Sequence, residues 1–336
     1  MSSDPSYYQS KLNSSTTRII HHDKYVEYPF IYVKQYPSIP LAVVIDTGCG
    51  AHNAAEGTIK QELKDFIRNE VLSSDKKNQY EFLVVCTHCH FDHIGGIEKF
   101  SKEGAGVVAS GYDVGFLSPA NRDASSLSSA FGTELPDYTI TRYATDYERL
   151  LHGNTDLGLQ IILTPGHTPD SMAIWDEKER TIFTGDTAYQ RVYTMPWGEK
   201  QDVPIILVSQ GNWPEFVQSV KKLQAFVKTN AKNGNGNTIK LAAGHTTSNV
   251  DAGVFLQSVH DFLQRVVMGF VPIIARIPGD QVAPGGSLGD EMFVFWQEDG
   301  NPEFSLIAPE RFIQDFEPLG KSERRQGFEY WKYLML

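Results

Sequence analysis

Cysteine is scarce in this 336-residue chain, with three residues at Cys49, Cys86 and Cys89. An odd count, with two of the three beside a histidine-rich stretch, argues against a disulfide framework and for a reduced compartment, read here as the cytoplasm. Basic charge is also short. Lys and Arg number 30 against 41 Asp and Glu, for a net charge of −11. Without a basic stripe, no nucleic-acid partner is expected. No stretch approaches the roughly eighteen consecutive apolar residues of a membrane span. The opening "MSSDPSYYQSKLNSSTT" has no basic head followed by an apolar run, so no signal peptide is expected. No repeat of solenoid period is present.

Hydrophobic residues make up 41% of the chain, enough for a sizeable core. Residues 1–27 read as a polar, frayed N-terminal arm. "YPFIYVKQY" (28–36) and "PLAVVID" (40–46) read as a β-hairpin. Residues 58–74 carry Ile59, Leu63, Phe66, Ile67 and Val71 at helical spacing. "YEFLVVCT" (80–87) is a nearly all-apolar strand, and "GAGVVAS" (104–110) is another. Positions 119–137 are rich in Ser, Pro and Gly and read as a loop with a short helix. Strands follow at 157–168, 171–176 and 180–187. A helix over 213–229 presents Phe216, Val220, Leu223 and Val227 on one face. A turn at 230–237 leads to a strand at 238–247 and a helix at 252–270. Residues 28–270 thus form the main domain. The remainder, 271–336, reads as an accessory C-terminal extension packing on it. That extension either covers the site or serves as the interface of a homodimer. Strands first, then strands alternating with helices in two similar halves, suggest two packed sheets with helices outside.

The chemistry concentrates in "THCHFDHIGG" (87–96), directly after a buried strand. His88 and His90 are two apart and can project to one side of an extended segment. Asp92 and His93 follow the turn and can enter the same pocket. Imidazole nitrogens and a carboxylate are ligands that Zn²⁺ accepts at about 2.0–2.2 Å. Gly95 and Gly96 let the next helix begin close against the strand ends. One turn cannot complete a metal site, so distant ligands are required. Three candidates each follow a strand and a glycine: His167 after "IILTPG", Asp186 after "TIFTG" and His245 after "IKLAAG".

"THCHFDHIGG", "PGHT", "TGDT" and "GH", in this order, with "VVIDTG" (43–48) upstream, resemble the metallo-β-lactamase superfamily. The resemblance implies an αββα four-layer sandwich of α/β (α+β) class, with the metal site at the edge between the sheets. Carried over, it implies that His88, His90 and His167 hold one metal and that Asp92, His93 and His245 hold a second. Asp186 would bridge the two, and Asp46 would be a buried aspartate orienting a ligand histidine. It implies two Zn²⁺ per chain, with iron or manganese also compatible with the donor set. It further implies hydrolysis by a metal-activated water, with Asp92 also accepting and passing on a proton. Tyr189, three residues after Asp186, matches a tyrosine of the lactonase members that contacts the substrate carbonyl or leaving oxygen. Cys89 lies between ligands and reads as a buried structural thiol.

Tyr193, Trp197 and Trp213 stand in or near the long insertion after Asp186, where they either line an apolar substrate pocket or pack the insertion onto the sandwich. His21, His22, His52, His152 and His260 read as solvent or packing residues. The expected function is hydrolysis of a small lactam or lactone, with a γ-lactam or cyclic carbamate as the narrower possibility. Two alternatives stand beside it: a thioesterase, and a mononuclear iron oxygenase of the same fold. The stretch between Asp186 and His245 is too short for the cassette a nuclease of this fold requires.

Overall fold

A computed structural model of the chain describes residues 5–72, 77–232, 238–282 and 286–314, and every count below is made among them. Residues 233–237 of the expected turn and 315–336 of the extension lie outside the described residues.

The first sheet runs in sequence order: β1 (Tyr7–Lys11), β2 (Thr16–His21), β3 (Phe30–Tyr36), β4 (Leu41–Ile45), β5 (Glu81–Val85), β6 (Gly106–Ser110) and β7 (Arg142–Ala144). The hairpin expected at 28–46 is β3–β4, paired antiparallel with Lys34 opposite Val43. From β4 to β7 the pairing is parallel. The second sheet contains β8 (Arg149–His152), β9 (Thr155–Leu163), β10 (Met172–Asp176) and β11 (Thr181–Phe183). After a small ribbon of β12 (Val192–Thr194) and β13 (Lys200–Asp202), and the short β14 (Ile205–Ile206), it is completed by β15 (Lys240–Ala242) and β16 (Ser248–Asp251).

Strand alternation sorts the side chains into layers. On β4, Leu41, Val43 and Ile45 face the second sheet, where they meet Ile161, Met172, Ile174 and Phe183. Ala42 and Val44 face outward onto Leu63 and Phe66 of α1 (Leu63–Phe66) and onto Ile97 and Phe100. On β10, Ala173 and Trp175 face the opposite outer layer. Two amphipathic helices, Trp213–Lys232 and Ala252–Val267, cover that layer. The result is the expected αββα sandwich.

After α1 the short helices are α2 (Phe91–Ile94), α3 (Ile97–Lys102) and α4 (Arg122–Ser126). Then come α5 (Trp213–Lys232), whose Phe216, Val220, Leu223 and Val227 are all buried, and α6 (Ala252–Val267), capped by Asp251 on the Val254 N–H. No described helix is long and apolar enough to cross a membrane.

Three expectations change. The N-terminal arm is not frayed over its described length. Its polar residues form β1 and β2, with Thr16, Thr17 and His21 buried and Tyr7 stacked on His21 at 4.7 Å. The helix expected over 58–74 begins only at Leu63, because Ile59 is drawn into a bridge with Pro5 and its carbonyl accepts from Ser6 Oγ at 2.5 Å. The extension, read as an accessory piece, shares a sheet with the insertion. β17 (Ile273–Pro278), β18 (Met292–Gln297) and β19 (Ser305–Pro309) form a sheet, and β14 of the insertion joins it by parallel pairing with β19. A final turn, α7 (Arg311–Gln314), follows.

Candidate metal centre

All seven sequence-derived ligands are buried and lie just beyond the C-terminal ends of strands: His88, His90, Asp92 and His93 after β5, His167 after β9, Asp186 after β11 and His245 after β15. They converge in two groups, each with its donor atoms within 4.8 Å: His88, His90 and His167 in one, Asp92, His93, Asp186 and His245 in the other. Asp186 lies between them. Its Oδ1 is 3.3 Å from His93 Nε2, and its Oδ2 is 3.3 Å from His245 Nε2 and 4.0 Å from His167 Nε2. The glycine before Asp186 is required, since Gly185 has φ +50° and a Cβ there would stand 2.6 Å from Thr87 Oγ1. Gly244 is required by space, because a Cβ would lie 2.7 Å from His93 Cε1 and collide with Asp186.

The outer nitrogens of the five imidazoles settle where the protons are. His167 Nδ1 meets the Ile206 carbonyl at 2.7 Å, and His245 Nδ1 meets the Glu27 carbonyl at 2.8 Å. A carbonyl only accepts, so both Nδ1 atoms carry hydrogen. Asp46 accepts the Thr87 backbone N–H and hydroxyl, each at 2.7 Å, and faces His93 Nδ1 at 2.9 Å. The Thr87 hydrogen is thereby committed, so His88 Nδ1, 3.2 Å from that hydroxyl oxygen, must donate to it. Gln210 donates its amide N–H to the Ala124 carbonyl at 2.6 Å, which turns its oxygen toward His90 Nε2 at 3.4 Å.

His88, His90 and His167 therefore spend their N–H groups outward and present lone pairs inward. His90 Nδ1 is left 3.0 Å from His88 Nε2 and 3.1 Å from His167 Nε2. Lone pairs facing one another at that range in a buried site repel unless a cation sits among them. Protons do not fill that role in this half of the site. Burial and the neighbouring imidazoles hold His88 well below its usual range, and burial and His167 hold His90 down to about 3.

In the other half two carboxylates face two imidazoles. Burial favours neutral carboxyl groups, but the facing His93 and His245 outweigh it and keep Asp92 and Asp186 well below the usual carboxylate range. Conversely, burial would lower His93 and His245, but Asp92 and Asp186 raise both well above 6.5. Buried His93 Nε2 and Asp186 Oδ1 have no hydrogen-bond partner among the described residues. The donor set and its unspent lone pairs fit divalent cations.

A small cavity, about 60 Å³, opens on this cluster. Tyr189 lines it, its ring 5.4 Å from that of His245. Burial, with Asp186 and Glu27 close by, pushes its hydroxyl well above 10 and keeps it a neutral donor. Tyr193, Trp197 and Trp213 are not among the lining residues. Tyr193 packs on Phe30 at 5.4 Å, and Trp197 stacks on His22 at 4.3 Å. Trp213 begins α5 and borders a separate apolar cavity beside the extension. These aromatics pack the insertion in place, and the insertion lines the cavity instead through Val203, Ile206 and Val208. Phe91, Leu127 and Phe131, together with Leu288 of the extension, complete the apolar wall.

Sequence reasoning also missed Glu27, Gln210 and Ile206. Thr87 stood within the quoted motif as a visible hydroxyl beside Asp46, but no sequence signal marks the other three. Cys89 is buried in the outer core layer with Cys86, as expected.

The strand-end ligand cluster and the four-layer sandwich together define a metallo-β-lactamase-type protein. The metallo-beta-lactamase superfamily profile matches residues 41–224, and the chain belongs to that family. Among its relatives, avaE of Aspergillus versicolor, whose name labels it a candidate transcription factor, is 28% identical over 94% of this chain and 89% of its own. An acyl-coenzyme A thioesterase of Gallus gallus is 27% identical over 44% of this chain and 53% of its own. A hydroxyacylglutathione hydrolase of a Methylobacterium species is 30% identical over 36% and 38%. Among solved structures, a metallo-beta-lactamase from Pontibacter korlensis superposes with a TM-score of 0.51 at 19% identity, covering 77% of this chain and 99% of that one, a likeness of fold.

Proposed function

We propose that this protein is a zinc-dependent hydrolase that opens the carbonyl bond of a small lactam or lactone. The observation carrying the reading is the convergence of five imidazoles and two carboxylates in a site that excludes protons from its His88–His90–His167 half. In this reading His88, His90 and His167 would hold one ion, and Asp92, His93 and His245 a second, with Asp186 lying between the two groups. Bound there, the ions supply a water acidified toward neutrality and a Lewis acid for the carbonyl. Asp46, Thr87, Gln210, Ile206 and Glu27 fix the ligand imidazoles from outside. Asp92 accepts a proton and delivers it to the leaving atom. The Tyr189 hydroxyl donates to the substrate carbonyl or leaving oxygen.

The cavity supports a compact substrate. It is far below the few hundred Å³ of an ordinary ligand pocket. Among the described residues no Lys or Arg lines it, which disfavours the anionic arms of coenzyme A or glutathione thioesters.

The test is metal analysis of the purified chain, followed by a panel of lactones, lactams and thioesters. About two zinc per chain and chelator-sensitive ring opening are expected. One iron and no zinc would overturn the reading, and so would turnover confined to thioesters.

A further inference from the structure

The cavity has two polar side chains that are not proposed ligands, Tyr189 and Glu27. Tyr189 is a buried hydroxyl that donates. Glu27 is a carboxylate for which no described side chain or backbone group serves as hydrogen-bond partner, although it lies close enough to Asp92 and Asp186 to feel their charge. Glu27 is half-buried, so its carboxyl oxygens are open to whatever enters the cavity.

The backbone presenting Glu27 is specially built. Val26 (φ 67°) and Tyr28 (φ 48°) flank it in the left-handed region, rare for such side chains. The buried Asp23 carboxylate holds the turn by accepting the N–H groups of Tyr25 at 2.8 Å, Glu27 at 3.4 Å and Tyr28 at 2.7 Å. From the other side, Gln201 of β13 donates to the Val26 and Glu27 carbonyls, both at 3.0 Å. The Glu27 carbonyl also anchors His245. A turn strained and bolted in this way places one side chain at one spot over the metal cluster. A carboxyl group keeps an accepting oxygen in either protonation state.

We infer that Glu27 is a specificity-determining residue that accepts a hydrogen bond from a substrate N–H beside the scissile carbonyl. The inference rests on the hydrolase reading and narrows it. One donor and one acceptor in a small apolar cavity complement a group offering one acceptor and one donor. The amide of a small ring is such a group: ring closure holds it cis, so its C=O and N–H share an edge. Lactones and thioesters lack the donor. A site that hydrogen-bonds a substrate N–H rejects analogues lacking it because the bound ring then takes water from the acceptor and returns no hydrogen bond.

The experiment uses the zinc-loaded full chain with a benzo-fused five-membered lactam, its N-methyl derivative and the lactone of the same ring. Binding is measured by calorimetry and turnover by ring opening. The wild type is expected to prefer the N–H ring over the N-methyl ring by tenfold or more, in affinity or in kcat/KM. Glu27→Ala should compress that ratio to within about threefold. Glu27→Gln, which keeps an accepting oxygen and nearly the same shape, should restore part of it and guards against a folding defect in the alanine variant. Failure of the wild type to distinguish the N–H ring from the N-methyl ring in both assays overturns the inference, as does a ratio that survives Glu27→Ala. Opening of none of the three rings, despite selective binding of the N–H ring, overturns the hydrolase reading and leaves the role of Glu27 standing.

Discussion

Lys34 on β3 and Asp176 on β10 meet at 2.6 Å between the two sheets, both almost fully buried. The ligand cluster is equally buried, yet the two regions are organised differently. At the Lys34 pair the charges are matched within the protein: the ammonium also donates to Ser15 Oγ at 2.9 Å, and Asp176 accepts the Glu179 N–H at 3.1 Å. At the His88, His90 and His167 half of the cluster every N–H is spent outward, and lone pairs face lone pairs inward. Buried charge that is already paired belongs to the architecture. Buried donor atoms left facing one another call for a partner from outside.

The comparison breaks first at the cluster. His88→Ala or Asp92→Ala should lower hydrolysis about a thousandfold or more and reduce metal content, checked by kinetics and metal analysis on the same preparation. Full activity in either variant would remove the mechanism.

The pair responds differently. Lys34→Ala strands a buried carboxylate and should cost about 3–5 kcal/mol of stability in denaturant titration while metal binding per folded chain stays the same. The double variant Lys34→Met/Asp176→Leu should recover most of that loss. If the double variant were as unstable as the single one, the pair would not be the closed unit described.

A third effect is smaller. Burial, with His22 and His52 nearby, holds His21 down to about 3 against an ordinary 6.5. The folded state therefore binds fewer protons than the unfolded chain between these values, and stability falls as pH drops below 6.5. At pH 5 the loss is about 2 kcal/mol. His21→Gln should flatten the pH dependence of unfolding across this range, and an unchanged slope would mean another group carries it.

The smallest effect is expected at Tyr189→Phe, which should reduce turnover about tenfold with metal content intact. Equal kinetics would make Tyr189 a packing residue and nothing more.

Much of this is legible in the order of residues along the chain. The ligands announce themselves because a metal demands few residue types at short spacing, and because "HCHFDH" sits where an apolar strand ends. The hairpin, the central strands of the core and the face of α5 follow from period-2 and period-3.6 patterning. The N-terminal strands are hidden because their buried residues are threonine and histidine, which read as polar in sequence. The pocket aromatics mislead because Trp and Tyr serve equally well as lining and as packing. The insertion uses them for packing and lines the cavity with valine and isoleucine.

The sequence by itself determined which seven side chains meet, since strand-end position and donor chemistry are local properties. Only the tertiary structure decided how each imidazole is oriented, why protons cannot fill the imidazole half, and that Glu27 looks into the cavity. Those facts depend on carbonyls, turns and walls contributed by segments distant in the chain, and no local pattern records which distant atom lands within hydrogen-bond reach of which.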